Sequence, residues 1–177
     1  MLKKLAILIV VVIAGVLGYA STKPDSLHVE RTAVISAPPT TVFALINDFR
    51  EWPKWSPWEQ LDPEMKRTLS GAPAGPGSVY EWEGNSDVGK GRMEITGASE
   101  PTNVNIKLDF LEPYEGHNTT TFTLQPSADQ TAVRWTMDGP SPYMMKVMSV
   151  FMNMDKMIGD DFEQGLANLK AAAERTN

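Results

Sequence analysis

The sequence predicts an α+β domain, an antiparallel β-meander followed by one long C-terminal helix, carried behind an apolar N-terminal segment. Three observations predict it. Between residues 78 and 139, apolar and polar residues alternate with period two in successive runs separated by Gly, Pro, Asn, Asp and Ser, the pattern of half-buried antiparallel strands. From residue 141 to about 174 the period lengthens to three and four, with Lys146, Ser149, Asn153, Lys156, Asp160 and Gln164 tracing one narrow polar stripe. Finally, the run from Leu5 to about Ala20 contains no charge.

That first run follows Lys3 and Lys4 and has no polar face, which argues against a buried core helix and for a membrane-targeting segment. Its length sits near the lower limit of a spanning helix. It suits a signal-anchor at residues 1–21, because no polar region precedes the small-x-small triplet Gly18-Tyr19-Ala20; cleavage there, with secretion, is the alternative. The two lysines would stay cytoplasmic, sending the remainder of the chain to the extracytoplasmic side. Residues 22–27 read as a linker and 28–175 as one folded domain, a length a single core can serve.

With no cysteine, the chain has no disulfide framework, thiolate metal site, cysteine nucleophile or lipidated cysteine. Acidic residues outnumber basic ones by 22 to 16, and no Lys/Arg cluster or zinc-ligand spacing occurs, so a nucleic-acid partner is excluded and no metal or cofactor is expected.

Taken in order, "LHVERTAVIS" predicts a first strand and "APPTTVFALINDF" a short helix, with Pro39 in its first turn and Val42, Leu45, Ile46 and Phe49 at helical spacing. "FREWPKWSPW" follows, where Pro53 and Pro57 predict a break and a second short turn. "KRTLSG" is a weaker strand; "SVYEWEG", "KGRMEITG", "TNVNIKLDF", "NTTTFTLQP" and "TAVRWTMDG" are strong ones, joined in two places by the turn segments "GNSDVGKG" and "PSADQ". Ser141 and Pro142 open the last helix, expected to run some thirty residues with Gly159 and Gly165 as places to bend.

Strand parity assigns the faces. Tyr80, Trp82, Met93, Ile95, Val104, Ile106, Leu108, Phe110, Phe122, Leu124, Val133, Trp135 and Met137 share the inner one, while Glu81, Glu83, Arg92, Glu94, Lys107, Asp109, Arg134 and Asp138 fall on the outer one. A general acid or base must reach the proton it moves, and the inner wall offers no candidate. Neither His28 nor His117 has the spacing of a nucleophilic triad, and both read as solvated. No catalytic residue is therefore assigned.

The element order, with "VISAPPTTVFALINDFREWPKWSPW", "GSVYEWEG", "GKGRMEI" and above all "WTMDGPSPYMMKVMSVFMNMDKMIGDDFEQGLANLK", resembles the START/Bet v 1-like (SRPBCC) superfamily, and within it the bacterial polyketide cyclase/dehydrase and lipid-transport branch. The resemblance runs from about Val29 to the C-terminus. It implies a helix-grip fold, with a curved antiparallel sheet of six or seven strands wrapped around the long helix and two short helices after the first strand. It also implies a cavity for a hydrophobic ligand between sheet and helix.

Candidate cavity residues follow from both lines of reasoning. Parity supplies Tyr80, Trp82, Met93, Phe110 and Trp135. Met144, Met148 and Met152 belong to a run of six methionines whose flexible side chains suit an adaptable wall, although the same residues also serve as core filler or bilayer contacts. In the resembling family the segment after the first short helix closes the cavity, and Trp55, held between prolines, is the expected contact there. The functional expectation is a membrane-tethered binding or transport module for a hydrophobic small molecule or lipid. A cyclase/dehydratase-like enzyme, with Tyr80 and Tyr114 as its first polar groups, and a self-filled interaction or stress-response module are the alternatives.

Overall fold

The computed structural model describes residues 2–175. Helix α1 (Leu2–Ser21) leads to strand β1 (Ser26–Ile35), helix α2 (Pro39–Ile46), a 3-10 turn (Trp52–Lys54) and the single-turn helix α3 (Trp58–Leu61). Strands β2 (Lys66–Gly71), β3 (Ser78–Glu83), β4 (Lys90–Ser99), β5 (Asn103–Glu112), β6 (Gly116–Ser127) and β7 (Gln130–Pro140) follow, then helices α4 (Tyr143–Met148) and α5 (Met154–Arg175). The strands form one antiparallel sheet in the order β1-β7-β6-β5-β4-β3-β2, so each strand from β2 to β7 pairs with its chain neighbour and β1 closes on β7. Register shifts at Lys90/Gly91 and Ile95/Gly97 in β4 accompany the curvature expected of bulged strands.

The inner face predicted by parity is the core. Ile95, Val104, Ile106, Phe122, Leu124, Val133 and Trp135 are buried against Phe162, Leu166 and Leu169 of α5, with Val42, Phe43, Leu45 and Ile46 of α2 closing one end. The glycines of α5 serve close approach: a Cβ on Gly165 would stand 2.7 Å from Trp135, and one on Gly159 would overlap the Arg31 guanidinium. Arg31, on β1, crosses α5 at that slot to reach Glu163 (2.8 Å) and Asp155 (3.2 Å).

The C-terminal segment differs from the expected continuous helix. The Ser149 hydroxyl donates to the Lys146 carbonyl at the end of α4, and Asn153 Oδ1 accepts the Lys156 N–H as the N-cap of α5, so the chain turns between 149 and 153. Lys146, placed by periodicity on the solvent stripe, is buried and paired with Asp25. The break rotates α4 away from the frame of α5, which is why one helical stripe does not describe both.

Asp109, placed by parity on the outer face, is also buried, beneath Lys107 (2.8 Å) and His117 (2.7 Å). The Asp109 hydrogen bond raises the pKa of His117, and although burial opposes it, the bonds from Lys107 and His117 hold the Asp109 carboxyl below its usual value. His28 is raised likewise by its bond to Asp138 (2.6 Å). The histidine contribution is complete below about pH 6.5, the unfolded value, and is lost as pH rises through the raised folded value; the Asp109 contribution is lost as pH falls through its depressed one. The urea midpoint of the wild type is therefore expected to fall above about pH 6.5, and the fall to flatten in the His28→Ala/His117→Ala double variant.

Candidate ligand cavity

Between the sheet, α3, α4 and α5 lies a cavity of about 320 Å³. Trp82, Met93, Leu108 and Phe110 form its sheet wall, Trp52, Trp58 and Met65 the side of the short turns, and Ile158, Asp161 and Phe162 the side of α5. Tyr114 and Glu115 of the β5–β6 connection contribute to the lining, as do Pro142 and Met145 where α4 begins.

The tryptophan cluster divides between sealing and lining. Trp55 is 1% exposed and donates its indole N–H to the Leu45 carbonyl (3.0 Å), while Trp52 donates to Ile46 (3.0 Å). These bonds satisfy carbonyls at the C-terminal end of α2. They turn Trp55 into the core behind Trp52 and Trp135, with ring centroids 4.7 and 5.8 Å away, so Trp52 and Trp58 reach the cavity and Trp55 does not.

Of the other expected residues, Tyr80, Trp82, Met93, Phe110 and Trp135 line the cavity together. Met144, Met148 and Met152 do not; the turn at 149–153 carries Met152 to the surface, and Met145 is the methionine of α4 that points inward.

Trp82 depends on a glycine. In the register, Gly91 lies between Trp82 and Phe110, whose rings meet edge to face at 6.0 Å across it, and the Trp82 N–H donates to the Val88 carbonyl (3.0 Å). A Cβ on Gly91 would fall 2.3 Å from the Trp82 ring and 2.6 Å from the Asp109 backbone carbonyl. Gly91→Ala should therefore displace the indole and cost about 1–3 kcal/mol, read as a lower denaturant midpoint together with an altered cavity.

Period-two parity supplied the Tyr80 phenol of this wall but missed its carboxyls. Glu59, the second residue of α3, has a side chain only 7% exposed and accepts hydrogen bonds from Tyr80 Oη (2.6 Å) and Arg67 Nε (2.6 Å), one on each carboxylate oxygen. Burial and the adjacent carboxylate push the Tyr80 phenol above its ordinary pKa, holding it as a donor. Asp161 is another carboxyl of the wall, raised by burial and then by its neighbour Asp160. Arg67 was legible in principle: it opposes Trp82 in the β2–β3 register, and directly opposed residues share a face. Glu59 had no such signal, since a single helical turn establishes no periodicity.

The wall is thus mostly apolar surface interrupted by polar groups, the composition of a pocket suited to an apolar ligand. Comparison with solved structures gives the same fold at low identity. A protein from Thermobifida fusca aligns with a TM-score of 0.63 at 22% identity, covering 84% of this chain and 93% of that one. CV1439 from Chromobacterium violaceum aligns at 0.60 and 18%, covering 86% and 99%. Aha1 from Colwellia psychrerythraea, solved as a dimer, aligns at 0.60 and 18%, covering 84% and 96%. No curated protein matches the sequence. The family model described as polyketide cyclase / dehydrase and lipid transport matches residues 26–174, the whole of the sheet and nearly all of the C-terminal helix, and the chain belongs to that family within the Bet v 1-like superfamily.

Proposed function

We propose that the chain is a membrane-tethered module that binds or carries a hydrophobic small molecule or lipid, with its folded domain on the extracytoplasmic side. The observation that carries this reading is the cavity of about 320 Å³, which lies at the small end of ordinary ligand sites and is walled mostly by aromatic and aliphatic side chains. Binding would rest on burial of apolar ligand surface, with the Glu59–Tyr80 pair and Asp161 offering polar groups on the wall. Tethering is supported by α1, 20 residues long, whose uncharged run from Leu5 to Ala20 extends about 24 Å, near the lower limit for crossing a bilayer core. Ala20 is the residue of this helix that is buried, unlike the many of a core helix. Lys3 and Lys4 in its first turn supply the charge asymmetry that would keep its N-terminus cytoplasmic.

The test is native mass spectrometry of the full chain released from membranes, followed by organic extraction, with Leu108→Trp as the blocked control. Stoichiometric apolar cargo on the wild type and its loss from the variant is the expected result. A cargo-free wild type that also fails to take up apolar fluorescent probes would overturn it. The cyclase/dehydratase reading draws on Asp161, whose raised pKa suits a proton donor at the cavity wall. Turnover of a polyketide-like substrate that disappears in Asp161→Asn while binding persists would favour it.

A further inference from the structure

Outside α1, half of the exposed large apolar side chains among the described residues fall on one corner. Tyr143, Met144, Phe151, Met152 and Met157 fall within fifteen residues, with Met144 64% and Phe151 73% exposed. This corner is fastened to the exit of α1. The Tyr143 hydroxyl donates to the Leu17 carbonyl (2.8 Å), one turn inside the end of α1, and the Ser141 N–H donates to the Asp25 carbonyl (2.7 Å). Buried Lys146 pairs with the Asp25 carboxylate, and Ala20 in the last turn of α1 is fully buried. The domain therefore does not swing on a free tether: α4 is held against the helix at the depth where a spanning segment leaves the hydrocarbon.

We propose that the α4–α5 corner, residues 143–157, docks into the headgroup boundary of the bilayer that α1 crosses. The inference rests on the anchored reading of α1. Its occupant is a lipid surface engaged by apolar insertion. Removing Lys3 and Lys4 leaves 14 basic against 22 acidic residues in the rest of the chain, a net charge of −8 that gives anionic lipid no general attraction. The same α4 places Met145 and Pro142 on the cavity wall, so docking sets that part of the cavity beside lipid, where an apolar ligand can pass with little exposure to water.

The absence of cysteine makes single-site labelling direct. Full chains carrying Val10→Cys, Met144→Cys, Phe151→Cys or Asp129→Cys are labelled with an environment-sensitive fluorophore and reconstituted in phosphatidylcholine vesicles, with nitroxide-bearing lipid as quencher. Asp129 sits in the β6–β7 turn, at the far end of β1, about 33 Å from the anchor at 3.3 Å per residue. The expected result is quenching at Val10, quenching at Met144 and Phe151 at a depth of about 5–10 Å, and none at Asp129. A Met144→Asp/Phe151→Asp pair should abolish quenching of a Met152→Cys label while Val10 stays quenched. Water-exposed labels at Met144 and Phe151 beside a quenched Val10 overturn docking and leave the anchor standing. Blue-shifted labels there without lipid quenching assign the corner to a second copy of the chain, also overturning the proposal. An unquenched Val10 removes the anchor, and docking with it.

Discussion

Trp135→Ala should lower the free energy of unfolding by about 3–5 kcal/mol, a large part of the roughly 5–15 kcal/mol typical of a domain. Trp135 is the hub of the aromatic core. Its ring stacks on Phe162 at 4.0 Å and 9°, and meets Phe122 at 4.8 Å, Trp55 at 5.8 Å and Trp58 at 5.9 Å. It joins β7 to α5 beneath Gly165, so truncation opens a void between sheet and helix that neither can close without moving the other. Its indole N–H makes no hydrogen bond, so the loss is one of packing. Trp135→Phe should accordingly recover most of the stability. Because Trp135 also lines the cavity, the alanine variant should accept bulkier apolar probes than the wild type. Chemical denaturation of the three proteins decides the matter, and an alanine variant within about 1 kcal/mol of wild type would refute the hub.

The second large effect is expected at Glu59. Its side chain is 7% exposed and both oxygens are engaged, so Glu59→Ala leaves the Tyr80 hydroxyl and the Arg67 guanidinium without their partner. Removing one member of a buried pair costs about 3–5 kcal/mol; here about 2 kcal/mol is expected, because Arg67 is 29% exposed, retains a bond to the Met65 carbonyl (2.9 Å) and can rehydrate. Glu59→Leu combined with Arg67→Met should restore much of the stability, since matched apolar groups carry no unpaired charge. The same double variant should lose discrimination among ligands that differ only in a polar end group. Thermal melts with and without probe separate the two consequences. Equal selectivity in both proteins would show that Glu59 serves the fold alone.

How much of the fold and of the cavity is legible in the sequence differs from element to element. The meander is legible because side-chain direction along a strand depends only on parity: Tyr80, Trp82, Met93, Phe110 and Trp135 converge as alternation requires. Helix α2 is legible from Pro39 and the spacing of Val42, Leu45 and Ile46. Trp55 escapes such reasoning because its direction is set by a hydrogen bond to Leu45, ten residues earlier in an irregular segment, where no period operates. Met144, Met148 and Met152 escape it for a related reason. Their expected phase assumes one helix through residues 149–153, where the Ser149 and Asn153 side chains end one helix and start another.

By itself the sequence determined the apolar N-terminal run, the order of the strands, which face of each is apolar, and membership of a ligand-binding fold class. These are local or periodic properties, written in residues a few positions apart. Only the tertiary structure decided that Glu59 meets Tyr80 across 21 positions and that Lys146 is buried against Asp25 across 121. It also decided that Trp52 and Trp58, not Trp55, face the cavity, and that α4 is fastened to α1. Each of those outcomes depends on contacts between distant segments, where the burial of one polar group is offset only by a partner that chain closure brings to it.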